Sequence, residues 1–159
     1  MVLQMGPMDA ALKAMESAAK FYTKDLEALT EEQVLNSAGG SARKPVDFTY
    51  EVGLINRQVA ARLRGDEPPA SPEGDGWWIA PDELRNKAAI AAYIADGCKE
   101  ILDAARAMPA DEVGKMLGAP GRERPAYALV QFASMHTMYH DAQLNFIQSL
   151  SGDSTMHWG

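Results

Sequence analysis

The sequence predicts an all-α protein, a four-helix bundle with long crossover connections, and three observations carry that expectation. Apolar residues recur three or four apart over four long stretches, strand-period alternation persists nowhere, and the intervening segments are marked by Pro and Gly. A chain of 159 residues has the size of one domain and can bury a substantial core, so residues 1–159 are read as a single bundle domain.

The first stretch runs from about Met8 to Leu29. Met8, Leu12, Met15, Ala19, Tyr22 and Leu26 form its apolar stripe, with Lys13, Glu16, Lys20 and Lys24 opposite. Thr30-Glu31-Glu32-Gln33 reads as a capping box, so a short helical piece is expected before Gly39-Gly40 stops it. The second long stretch spans Pro45 to about Arg64 on Phe48, Val52, Ile55, Val59 and Leu63, and Gly65 stands where a C-terminal stop is wanted. From Asp66 to Pro81 the chain is a Pro- and Gly-rich loop whose Trp77-Trp78 pair is expected to pack back onto the body.

The third stretch is expected from near Pro81 to before Pro109, with Leu84, Ala88, Ala91, Ile94, Ile101 and Leu102 inward. A second loop covers Ala110 to Arg124. Pro125 then opens the last and longest stretch, which runs to about Leu150 and stops at Gly152. Connections run to about ten to seventeen residues, and those beyond about twelve exceed what a minimal up-down bundle needs. At least one is therefore expected to cross the bundle or to form the rim of a pocket.

Charge and composition exclude some classes of partner. A formal charge of −7 argues against nucleic acid and against an anionic membrane surface, because either needs a clustered basic face. No run approaches eighteen apolar residues, so no membrane span is expected. Residues 1–7 lack the basic start and apolar block of a signal peptide, and Cys98 is the only cysteine. Both fit a cytoplasmic protein without an intrachain disulfide.

The residues that carry chemistry lie on the last helix. His136 and His140 stand at i and i+4, which puts two imidazoles on one face a turn apart, where they can converge on one divalent ion. Phe132 and Ala133 lie on the same face, so the pair rises from a mainly apolar stripe and needs polar partners. Residue 137 is Thr, so the Glu of a zincin helix is missing and peptidase chemistry is not indicated. Two imidazoles leave a site incomplete, and Glu51, between Tyr50 and Val52 near the stripe of the second helix, is the best third ligand. An ordinary surface or helix-pair role for Glu51 stays open. Asp47 reads as a first-turn carboxylate complementing the helix dipole.

His136-Thr-Met-Tyr-His140-Asp-Ala-Gln143-Leu-Asn145 resembles the last-helix motif of the DinB-like family, with paired histidines followed by Gln. Gly152-Asp153-Ser-Thr-Met-His157-Trp158 resembles a tail found in one branch of that family, and Tyr50 to Arg57 resembles its second-helix segment. The resemblance implies a four-helix bundle with a crossover connection, often dimeric, with a triad of metal-binding histidines. Glu51 falls where the first of those histidines normally stands. A carboxylate there gives a two-His, one-carboxylate set with positions left for water or substrate, or marks a branch that has lost metal.

The resemblance further implies a metal-dependent transferase or isomerase that uses a low-molecular-weight thiol, read here as an S-transferase in which a divalent metal (Zn, Ni or Mn) activates the thiol for attack on a small-molecule substrate. The alternative is a non-catalytic dimeric bundle acting as a binding or stress-response scaffold. A metal hydrolase would need a separate general base, and none is identified. Cys98 reads as a buried structural residue rather than a nucleophile. Gln143 and Tyr139 are read either as partners orienting a ligand ring or as packing residues, and His157 as outside the site. Trp77, Trp78 and Trp158 are read as core covers.

Overall fold

The computed structural model describes residues 5–158. Five helices form in order: α1 (Pro7–Ala28), α2 (Glu31–Leu35), α3 (Pro45–Arg64), α4 (Lys87–Arg106) and α5 (Ala126–Leu150). A single 3₁₀ turn at Asp82–Leu84 precedes α4, and two short antiparallel strands, β1 (Met116–Leu117) and β2 (Arg124–Pro125), pair inside the last connection.

Side-chain pairs give the direction of each helix. Lys87, which opens α4, donates to the carbonyl of Glu27 at the end of α1, while Arg106, which closes α4, pairs with Glu16 at 2.7 Å. α1 and α4 are therefore antiparallel. Asp47 pairs with Arg85 just before α4, and Arg57 pairs with Glu100 further along both chains, so α3 and α4 run parallel. Phe48 stacks on His140 while Glu51 meets His136, which sets α3 antiparallel to α5. The bundle is up, down, down, up.

Two parallel neighbours joined in sequence need a connection that travels the length of the bundle, and residues 65–86 are that crossover. It starts at Gly65, whose φ of 79° closes α3 in the left-handed region, a conformation that Gly adopts without steric cost. The Gln58 amide then donates to Pro69 O and Ser71 Oγ, and the Ala80 N–H donates to Asp47 Oδ1 at 2.9 Å. The loop thus returns along α3 from its C-terminus to its N-terminus, as an expected crossover should.

One core joins the four long helices through Met15, Tyr22 and Leu26 of α1, Phe48 and Val52 of α3, Ile90, Ile94 and Ile101 of α4, and Val130 and Leu144 of α5. Where α3 crosses α4 the backbones nearly touch. A Cβ added at Gly97 would lie 2.8 Å from Gly53 O, and one added at Gly53 would strike the Tyr93 ring.

Several local expectations hold. The Thr30 box forms as read, with Gln33 N donating to Thr30 Oγ1 and Thr30 N to Gln33 Oε1. α3 has the expected ends, and Asp47 lies in its first turn. Other expectations are corrected. α2 stops at Asn36, whose amide takes the Glu32 carbonyl, before Gly39-Gly40 is reached. α4 begins at Lys87 rather than near Pro81, because Asn86 Oδ1 caps Ala89 N while Asp47 holds the preceding turn through Ala80 and Arg85.

The buried stripe of α4 is Ile90, Ile94, Cys98, Ile101 and Ala105, whereas Ala88 is exposed. On α1, Ala11 and Ala18 are buried and Leu12 and Ala19 only half-buried. Trp77 is 74% exposed and Trp78 half-buried, so that pair does not seal the core. Trp158 does cover it: its ring stacks on Phe21 at 4.5 Å and its indole N–H donates to Asp25. Met8 and Met15 fill the core, but Met116, Met135 and Met156 are exposed.

Replacing Gly97 by Ala forces a side chain into the α3–α4 backbone contact, where the nearest atom is a carbonyl that cannot rotate away. The expected loss is about 1–3 kcal/mol of unfolding free energy. Urea denaturation of the variant, read as a fall in the midpoint at unchanged slope, checks this.

Candidate metal centre

α3 and α5 bring the three expected ligands together. His136 and His140 both aim Nε2 at the same oxygen, Glu51 Oε1, at 3.3 Å and 3.7 Å. The ligand atoms of Glu51, His136 and His140 all lie within 4.8 Å of one another, and among the described residues this is the cluster with metal-ligand geometry. An ion bound at about 2.0–2.2 Å to each of three donors sets those donors roughly 3.3–3.6 Å apart in a tetrahedral arrangement. The two imidazole–carboxylate spacings lie close to that edge, so the donor set fits a small divalent ion.

The state of His140 is set by its neighbour. His140 Nδ1 lies 2.7 Å from Gln143 Oε1, and an amide oxygen can only accept, so Nδ1 carries a proton and Nε2 is the nitrogen that faces the centre. Gln143 thus holds the His140 ring by a hydrogen bond and not by packing alone. Phe48 stacks on the His140 ring and Tyr139 meets it edge-on, although Tyr139 is itself 63% exposed. His136 lies over Phe132, and its buried Nδ1 has no hydrogen-bond partner. Thr137 turns away, its hydroxyl donating to Ala133 O.

Glu51 carries the electrostatics. Burial alone would raise its pKa, but hydrogen bonds from His136, His140 and Arg43 outweigh that and hold the carboxyl well below the usual carboxylate range. Arg43 is a site residue that sequence reasoning missed. Its Nη2 lies 2.7 Å from Glu51 Oε2, leaving Oε1 for the imidazoles, and its guanidinium lies over the Trp77 ring at 4.7 Å. A second bond from Nη2 reaches Trp78 O. Arg43 sits in the α2–α3 connection, outside any periodic stretch, so no spacing signal marks it.

The remaining candidates fall outside the centre. Asp47 anchors the crossover, and His157 pairs with Asp153 at 3.1 Å in the C-terminal tail. Cys98 is buried, with the Asn56 amide on its sulfur, and burial pushes its thiol up to about 12.

A family model for the DinB superfamily matches residues 52–144. The chain belongs to the DinB superfamily. The matched span contains His136, His140 and Gln143 and begins one residue after Glu51, so Glu51 and Arg43 stand on the geometry alone. A crystal structure of a conserved protein from Enterococcus faecalis shares this DinB fold, with a TM-score of 0.72 at 10% identity, covering 94% of this chain and all of the other. Comparison with curated proteins finds no match. No helix among the described residues is long and apolar enough to cross a membrane.

With a raised pKa and almost no exposure, Cys98 should resist alkylation. Iodoacetamide at pH 8 is expected to modify it at a rate that rises steeply only when denaturant unfolds the bundle. Rapid labelling of the native protein, followed by mass spectrometry, would show instead that the thiol is available as a nucleophile.

Proposed function

We propose that this DinB-superfamily protein binds one divalent metal ion, Zn, Ni or Mn, through Glu51, His136 and His140, and serves as a metal-dependent transferase acting on a low-molecular-weight thiol. The observation that carries the proposal is the convergence of one carboxylate oxygen and two imidazole nitrogens within 4.8 Å. Such an ion supplies Lewis acidity that lowers a thiol's pKa toward neutrality, so that the nucleophilic thiolate is populated.

The protein's own residues have separable tasks. Gln143 keeps the His140 proton on Nδ1 and so keeps Nε2 a donor to the ion. Arg43 offsets the charge of Glu51 and holds its carboxylate in one orientation. Phe48 and Phe132 fix the two rings and keep water from their flanks. The small-molecule substrate would enter between α3 and α5, where Glu51 and His136 are each about one-seventh exposed.

We propose that the protein works as a cytoplasmic homodimer. Phe132, Met135 and Tyr139 form an exposed apolar face on the first half of α5. α5 contains no Lys, Arg or Glu, so two copies can meet on that face without the repulsion that a net charge of −7 creates elsewhere.

The Arg43–Glu51 pair also favours a second reading, a dimeric binding or stress-response scaffold. In it Arg43 and the two imidazoles satisfy Glu51 with no ion, and the cluster has no catalytic task.

Metal titration of untagged, chelator-treated protein separates the two. One ion per chain is expected, lost in His136→Ala and His140→Ala, and weakened about tenfold to a hundredfold in Gln143→Leu. Turnover of a thiol and an electrophile that disappears in Glu51→Ala supports the transferase. Absence of metal after purification and after added Zn, Ni or Mn, with Glu51→Ala as stable as the parent, supports the scaffold.

A further inference from the structure

Beside the metal centre, on the side of α3's N-terminus, lies a separate cavity of about 160 Å³. Its polar lining comes from Arg43 and Gln143, and Ala42, Phe48, Phe146 and Ile147 supply apolar walls. What the two polar groups still offer decides what the cavity can hold. The Arg43 guanidinium bonds Trp78 O and Glu51 Oε2 through Nη2, so Nε and Nη1 keep N–H donors. Gln143 gives its carbonyl oxygen to His140 Nδ1, which leaves its NH₂ group as the free end. A guanidinium has no acceptor, and this amide's acceptor faces the imidazole. The polar side chains of the cavity therefore present donors only, one of them charged, against an apolar remainder.

We propose that this cavity binds the carboxylate of a small organic acid with a short apolar or aromatic tail. The carboxylate accepts from Arg43 and from the Gln143 NH₂ group, and the tail packs on Phe48, Phe146 and Ile147. Arg suits this task because its planar fork matches a carboxylate with two parallel bonds. The volume limits the tail to roughly a single ring. Phe146, which is 63% exposed, stands at the mouth, so the ligand enters from solvent without passing the metal ligands. The proposal does not require a bound metal and goes beyond the metal-centre reading.

The test uses the full-length, chelator-treated protein and three probes followed by calorimetry and amide NMR: benzoate, its neutral counterpart benzamide, and acetate. Benzoate is expected to bind saturably and about tenfold or more tighter than benzamide, since hydrogen bonds to a charged group outweigh those to a neutral one. It should also bind more tightly than acetate, which lacks the tail.

Arg43→Gln should lower benzoate affinity about tenfold or more. Because that variant also frees Glu51 and can fail to fold, Gln143→Glu provides a second arm on the opposite wall. Glu keeps an acceptor for His140 Nδ1 but places a negative charge in the cavity, and benzoate binding is expected to vanish. Equal affinity for benzoate and benzamide, unchanged benzoate binding in Gln143→Glu, or no saturable benzoate binding at millimolar concentration would overturn the proposal. A failure of the metal reading shows separately, in the titration of the wild-type protein with zinc.

Discussion

A carboxylate set between two helices of an apolar bundle loses most of its water, and an isolated charge there costs several kcal/mol. Glu51 is kept ionised only because three donors converge on it: His136 and His140 on one oxygen, Arg43 on the other. Each of those donors is held in turn. Gln143 and Phe48 position His140, and Phe132 positions His136. Trp77 and Trp78 hold Arg43 from the crossover connection. The crossover itself is tied to α3 through Asp47 and Gln58. The path of residues 65–86 along α3 is therefore part of the site as well as of the topology.

The packing leaves α5 with two apolar faces. Leu129, Val130, Ala133, Leu144 and Ile147 are buried against the bundle, while Phe132, Met135, Tyr139, Phe146 and Leu150 look outward. A helix apolar on every side is normally buried on every side. Here the outer face runs along the helix that carries both imidazoles, so whatever covers it also shapes the approach to the site. On the opposite side, α3 and α4 approach to backbone contact at Gly53 and Gly97, with the Tyr93 ring under Arg57 at 3.9 Å.

Much of this was written locally in the chain. The Thr30–Gln33 box, the Gly65 stop and the α3 limits depend on contacts within one turn, and each forms where its residues demand it. The histidine pair was readable for the same reason, since i and i+4 share a face in any helix. Glu51 was reachable by asking what two inward imidazoles lack. What could not be read is what tertiary contact decides. Nothing adjacent to Arg43 announces that it will meet a residue on α3 and two tryptophans from the crossover. Asn86 outcompetes Pro81 as the start of α4 because a distant carboxylate, Asp47, holds the turn between them. Trp77 looked like a core cover, but a large ring serves equally well over a guanidinium.

Zinc-soaked crystals, with diffraction data collected on both sides of the zinc absorption edge, test the central claim most directly. The account predicts one strong anomalous peak per chain, enclosed by Glu51 Oε1, His136 Nε2 and His140 Nε2, with Gln143 still bonded to His140 Nδ1. No peak at that position, with Glu51 still spanning Arg43 and the imidazoles, or a peak only beside Asp153 and His157 in the tail, would contradict it.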